Sequence, residues 1–333
     1  MDVQRNLESS LEKHTKEIYG PPVGKKMVVF IDDMNMPQVD TYGTQQPIAL
    51  LKLLLEKGGM YDRGKELNWK IIKDISYYAA MGKSGGGRNE VDPRFVSMFS
   101  VFNMTFPSDA TVTHIYLSIL RGHLGIFPDD VRELAPNVIA ATLYLYKAAV
   151  NELPPTPSKF HYIFNLRDLS RIVAGLLLTA PAHYQQPQLF VKVWRNEFTR
   201  VICDRLINDA DQKLMSDNML NAMLAYFPEH NVYAMTDPLL YGDYRNALSE
   251  DEPRDYEDLI DYEAIYCLFS EILNDYNERN LKMNLVLFED ALEHLTRIHR
   301  VLRMNPGHSM VVGVGGSGKQ SLVRLAAYSA GNV

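Results

Sequence analysis

Residues 308 to 333 read HSMVVGVGGSGKQSLVRLAAYSAGNV, and this order of residue types leaves few folds open. Residues 310 to 314 are apolar and β-favouring, as a buried parallel strand would be. Glycines follow, and KQSLVRLAAY then sets Leu322, Leu325 and Ala326 at helical spacing. Strand, glycine loop, helix is the setting in which G-x-x-x-x-G-K binds phosphate, and Gly313 to Lys319 fits that spacing. Glycines let the backbone curl until successive N–H groups face phosphate oxygens, and the helix N-terminus adds partial positive charge. The candidate cradle is Gly313, Gly315, Gly316, Ser317, Gly318, Lys319, Gln320 and Ser321, with Lys319 reaching the β- and γ-phosphates of ATP or ADP. The place after the lysine normally carries Ser or Thr, whose hydroxyl ligates Mg²⁺. Here it is Gln320, with Ser321 one place late. The loop therefore points to nucleotide binding more than to efficient hydrolysis. The competing reading is a glycine-rich left-handed turn capping a strand.

Hydrolysis on such a fold needs a second element, an apolar strand that ends in acids. MVVFIDDMNMP, from Met27, supplies one. Asp32 stands in the metal-side place, holding Mg²⁺ through water, and Asp33 in the catalytic-acid place. An Asx-type turn after a strand is the plainer alternative. In a single module the glycine loop precedes the acidic strand, whereas here the acidic strand comes first by almost the whole chain. Either the fold is circularly permuted or the two motifs belong to consecutive modules. A permuted GTP-binding fold would carry N-K-x-D, and no Asn-Lys pair occurs in the sequence.

The segments between fit an α/β protein. After a polar lead-in helix and turn (1–24), TQQPIALLKLLLEKGG reads as an amphipathic helix with Pro47 in its first turn and Gly58 and Gly59 as its stop. LNWKIIKD and ISYYAAMG read as strands, and a further short strand is expected around Phe99 to Phe106. From Ser108 to about Phe227 apolar positions three and four apart predict helices, with two more near 258–278 and 285–303. GKS at 82–84 is not a second phosphate loop, because position 77, where a glycine is required, is Tyr77. The net charge of −7 and the lack of a basic stripe exclude nucleic acid as the main partner. No apolar run suits a membrane span, and two cysteines suit a reducing cytoplasm. The acids gather in SEDEPRDYEDLIDYE, residues 249–263, a solvated linker and helix start.

GPPVGKKMVVFIDDMNMPQVDTYGTQQPIALLKLLLEKGGMYDR, AAMGKSGGGRNEVDPRF and HYIFNLRDLSRI resemble the third AAA+ module of dynein heavy chains, and HSMVVGVGGSGKQSLVRLAA resembles the phosphate loop of the fourth. Gly-Lys-Gln-Ser and the GGGRN loop resemble the axonemal type. The resemblance covers essentially the whole chain in order. It implies a partial AAA+ P-loop NTPase large subdomain with a parallel sheet (25–122), a helical AAA+ lid subdomain (123–248), an acidic linker (249–257) and the start of a second AAA+ module (258–333). It implies Asp32 and Asp33 as the Mg²⁺ and catalytic acids, though many such modules have Glu at the second place. It implies Arg167 as a second sensor for the γ-phosphate and Arg94 near the place of an arginine offered to a neighbour's nucleotide. The polar residue of the sensor strand falls at or near Gly82, which has no side chain. The parent protein implied is an ATP-driven, minus-end-directed microtubule motor of the cilium or flagellum axoneme. Its partners are neighbouring modules, intermediate and light chains and microtubules. A stand-alone permuted nucleotide switch and a non-catalytic scaffold are the alternatives.

Overall fold

The computed structural model describes residues 2–64, 66–85, 87–249 and 253–332. The expected acidic linker thus lies partly, at 250–252, outside the described residues. The chain divides into two compact units, Met1–Thr105 and Phe106–Val333.

The first unit opens with helix α1 (Asp2–Glu8) and strands β1 (Glu12–Lys13) and β2 (Ile18–Gly20). The lead-in therefore adds two strands to the expected helix and turn. Strand β3 (Met27–Ile31) leads through the acidic loop to α2 (Gln46–Lys57). Pro47 sits in the first turn of α2, Ile48, Leu51 and Leu54 face the core, and Gly58 ends it in the left-handed region at φ 64°. Strands β4 (Gly59–Tyr61), β5 (Trp69–Ile72) and β6 (Ile75–Ala79) and the short helix α3 (Pro93–Val96) complete the unit. One sheet has the order β1-β2-β5-β4, and β3 pairs with β6 in a second. The β3–β6 pair is parallel, from Met27 opposite Ile75 to Ile31 opposite Ala79, and β2 also runs parallel to β5.

β3, apolar throughout, is buried on one face only: Val28 and Phe30 are 65% and 64% exposed, while Val29 and Ile31 pack on the core of Leu7, Met34, Ile48, Leu51, Met60 and Phe95. One sequence expectation gives way as well. The segment around Phe99 to Phe106 is no strand, and Val101, Phe102 and Met104 are exposed. β-favouring residues form a strand only where a neighbour takes up their backbone groups.

The second unit begins with helices α4 (Asp109–Leu124), α5 (Asp129–Arg132), α6 (Ala135–Glu152), α7 (Leu166–Leu176), α8 (Pro187–Val201), α9 (Asp209–Tyr226) and α10 (Asn231–Ala234). Ser108 caps α4 by accepting the Thr111 N–H. These helices share one apolar core, with Trp194 and Phe190 fully buried in it. The indole N–H of Trp194 donates to Thr142 Oγ1 at 2.8 Å. A two-stranded ribbon, β7 (Tyr241–Gly242) against β8 (Glu257–Asp258), then leads to α11 (Tyr262–Arg279), α12 (Glu289–Arg303) and α13 (Lys319–Ser329), which enclose a second core around Phe269, Leu292, Leu295 and Leu325. No described helix is long and apolar enough to cross a membrane.

Helix α12 joins the two cores. Arg300, buried, donates from Nε to both oxygens of Glu197 on α8, at 3.2 and 3.1 Å, and from Nη2 to Oε2. Tyr256 Oη and Asn196 Nδ2 donate to the same carboxylate at 2.6 and 3.0 Å. Gly175 on α7 makes room, since a Cβ there would stand 1.5 Å from Glu197 Oε2. The adjacent His299 meets Asp243 through Nε2 and Ser329 Oγ on α13 through Nδ1, the latter at 2.7 Å.

Burial pushes the His299 imidazole below its usual range, against the opposite pull of Asp243; Arg254 and Arg303 push in the same direction as burial. Below the ordinary histidine pKa of about 6.5 the unfolded chain therefore takes up a proton that the folded chain resists. Stability is full above that pH and falls as pH drops through it, by at most about 1.4 kcal/mol per pH unit. Thermal unfolding midpoints between pH 7.5 and 5.5 should show this decline, and His299→Gln should flatten it. An equally steep decline in the variant would assign it elsewhere.

Candidate functional site

The glycine loop of the second unit ends where α13 begins, with Gly318 as its N-cap at φ 72° and Gly316 at φ 81°. Those angles suit glycine and let the backbone turn its amides into the concavity. Lys319 folds back over the loop: Nζ donates to Gly313 O at 2.8 Å, to Ser317 Oγ at 3.0 Å and to Val314 O. Ser317 Oγ in turn donates to Val314 O at 2.9 Å. A ligand phosphate would take the ammonium from these carbonyls. Gln320 is exposed and Ser321 half-buried. The expected buried strand before the loop is absent: residues 310–314 pair with no strand among the described residues, and Met310, Val312 and Val314 are 84%, 84% and 83% exposed.

Behind the loop α13 is firmly seated. Leu322, Leu325 and Ala326 are buried, and Arg254 Nη2 donates to Ser329 O at 2.6 Å near the helix C-terminus. The donor set, an ammonium, a hydroxyl and a helix N-terminus of 11 residues, fits a polyphosphate.

In the first unit β3 delivers Asp32 and Asp33 to an open cleft of about 730 Å³, lined also by Met34, Met36, Pro37 and Pro47. Both acids are exposed. Asp33 takes the left-handed φ of 46° and its N–H donates to Asp32 Oδ1 at 3.0 Å, one residue short of the spacing of an Asx turn. Among the described residues no three His, Cys, Asp or Glu side chains gather round a metal position.

Sequence reasoning passed over two residues that shape this edge. Arg88 Nη2 lies 3.0 Å from Asp33 Oδ1. Asn35, buried, donates from Nδ2 to Gly82 O at 2.8 Å and accepts the Asn89 N–H on its main-chain oxygen, also at 2.8 Å. GGGRN and DDMNMP carried the only signal, a polar residue set beside special backbone.

Arg94 is exposed on α3, which Asp92 caps by accepting the Arg94 N–H at 2.9 Å. Asp92 is held below the usual carboxylate range chiefly by the hydrogen bond from Lys52. Arg167 is exposed in the first turn of α7, where Asn165 and Asp168 form a reciprocal cap. Neither nearby acid pairs with it: Asp168 meets Arg205 at 2.7 Å and Glu152 meets Asn218 at 3.0 Å. Asp32, Asp33 and Arg94 thus belong to the first unit, and Arg167 and the phosphate loop to the second.

Three family descriptions match the chain: "P-loop containing dynein motor region" over residues 1–107, "AAA+ lid domain" over 138–233 and "P-loop containing dynein motor region D4" over 283–332. Among curated proteins, the human dynein axonemal heavy chain 10 is 60% identical over 330 residues, 99% of this chain. The Chlamydomonas reinhardtii dynein-1-alpha heavy chain of the flagellar inner arm I1 complex is 53% identical over 340 residues, again 99% of this chain. Human dynein axonemal heavy chain 6 is 40% identical over 98% of the chain. The chain spans 7% of the length of the first two and 8% of the third.

Proposed function

The chain belongs to the dynein heavy chains, of the axonemal type, and from that premise we propose that it serves as a stretch of the AAA+ ring of an ATP-driven microtubule motor in the axoneme of a cilium or flagellum. In this reading residues 25–122 are the α/β part of one module, residues 123–248 its helical lid, and residues 258–333 open the next. The stretch contributes an acidic strand edge to one nucleotide site and a phosphate loop to another. Neighbouring modules of the same heavy chain would complete both sites, and intermediate chains, light chains and microtubules are partners of the parent protein.

The observation that carries the reading is the seat of Lys319, folded onto Gly313 O and Val314 O at the N-terminus of α13. In that loop the amides and Lys319 would bind the phosphates of ATP or ADP, and Ser321 or Gln320 would face the metal. At the other edge Asp32 would orient a metal-bound water and Asp33 would accept the proton of an attacking water. Arg167 would reach a γ-phosphate from the lid, and Arg94 would face a neighbouring module. Mg²⁺, when bound, supplies charge neutralisation between the phosphates. The departures at Gln320, Asp33 and Gly82 favour regulatory sites that hold nucleotide over fast ATPase centres.

Lys319→Ala tests the loop. Losing a charge-assisted contact worth about 1.5–3 kcal/mol should weaken binding of a fluorescent ATP analogue about 10- to 100-fold, with the fold retained by circular dichroism. Unchanged affinity would refute the assignment.

A further inference from the structure

We propose that Arg88 is a positioning residue that clamps Asp33 and keeps the site at this strand edge loaded rather than turning over; the inference rests on the reading of Asp32 and Asp33 as its metal-side and catalytic acids. Nothing in the sequence motifs assigns Arg88 a part. The structure ties it to the acid through a series of fixed contacts.

The loop that carries Arg88 is sewn to the acidic loop. Met34 N–H donates to Ala80 O at 2.9 Å, Asn35 Nδ2 to Gly82 O at 2.8 Å, Asn89 N–H to Asn35 O at 2.8 Å and Asn89 Nδ2 to Pro37 O at 2.9 Å. Within it, Gly85 and Arg88 exchange backbone hydrogen bonds of 2.9 and 3.2 Å, a tight turn that brings Arg88 back over the sensor strand. There the guanidinium lies against Gly82: a Cβ at that position would stand 2.5 Å from Nη1 and 2.8 Å from Cζ. From this seat Nη2 reaches Asp33 Oδ1 at 3.0 Å. The bare glycine and the arginine six places later are thus two halves of one device. A side chain at 82 would occupy the space the guanidinium uses.

The consequence follows from what Asp33 must do. In hydrolysis the water oxygen bonds to the terminal phosphorus, the bond from that phosphorus to the bridging oxygen breaks, and the diphosphate leaves with the electron pair. The water's proton passes to a carboxylate oxygen. With Oδ1 paired to the Arg88 guanidinium, the Asp33 carboxylate is held toward the sensor loop, and only Oδ2 is left to receive that proton, from a position the pair fixes. The clamp leaves Asp32 free, so the metal side of this edge is kept while turnover slows.

The test is cryo-electron microscopy of the whole heavy chain, without nucleotide and after a fixed incubation with Mg·ATP. The parent chain is compared with Arg88→Ala and Gly82→Ala, the second of which expels the guanidinium without deleting it. The parent should show Arg88 on Asp33 in the nucleotide-free map and triphosphate in this site after incubation. Both variants should show Asp33 released and diphosphate, with loss of the γ-phosphate. Triphosphate retained in both variants, or Arg88 away from Asp33 in the parent, would overturn the clamp while leaving the site reading standing. A site empty of nucleotide in every chain would overturn that reading and the clamp together.

Discussion

Arg300→Met should lower the unfolding free energy of the second unit by about 3–5 kcal/mol, because it strands the buried Glu197 carboxylate without its cation. Glu197 and Arg300 have 0% and 5% side-chain exposure, so water cannot make good the loss. Tyr256 and Asn196 would still donate to the carboxylate, but two neutral donors do not replace a guanidinium. The methionine fills most of the arginine's stem volume, so the cost is electrostatic rather than a cavity. Urea unfolding followed by circular dichroism measures it. The double variant Glu197→Leu with Arg300→Met separates charge from packing: it should recover most of the lost stability, since apolar replacements of a whole buried pair are often neutral or better. A loss below about 1 kcal/mol in the single variant, on the scale of an exposed pair, would show that the pair is hydrated in solution.

A loss of similar size, about 3–5 kcal/mol, is expected for Trp194→Ala, this time from packing. The indole is fully buried and its centroid lies 5.1 Å from that of Phe227. Removing it opens a cavity between α6, α8 and α9 that these helices cannot close without shifting one another. It also deprives Thr142 Oγ1 of its donor, although that hydroxyl keeps its own bond to Val138 O at 2.6 Å. Trp194→Phe should recover more than half of the loss, because most of the apolar area returns. If the two variants unfold at the same urea concentration, the hydrogen bond and not the ring area carries the stability.

What the sequence discloses follows how locally each feature is determined. The helix of Gln46–Lys57, with its proline start and glycine stop, is legible because both signals lie within one element. So are strands 27–31 and 75–79 and the glycine turn into α13, whose left-handed angles fall where glycines stand. Pairing is less legible. The lead-in strand Ile18–Gly20 finds its partner at Ile71–Ile72, some fifty positions away, whereas MVVGV and the stretch after Phe99 have strand-forming residues and no neighbour among the described residues. Side-chain contacts across the fold are the least legible. Arg88 and Asp33 are 55 positions apart, and Arg300 and Glu197 are 103 apart. No periodicity links such residues, and only the folded backbone brings them together.

The consecutive residues His299 and Arg300 have a mechanical consequence. A helix that grips one neighbour with one side chain and a different neighbour with the next is keyed on both flanks, like a splined shaft. Helix α12 cannot turn about its axis, or slide by a turn, without drawing a buried charge out of its socket on α8 or a buried imidazole off α13. Rotation of α13 against α8 therefore has a threshold of several kcal/mol rather than a gentle gradient. Small displacements at Lys319 must be absorbed by the loop itself. Only a load large enough to unseat the key would move the helices on either side, and it would then move them together.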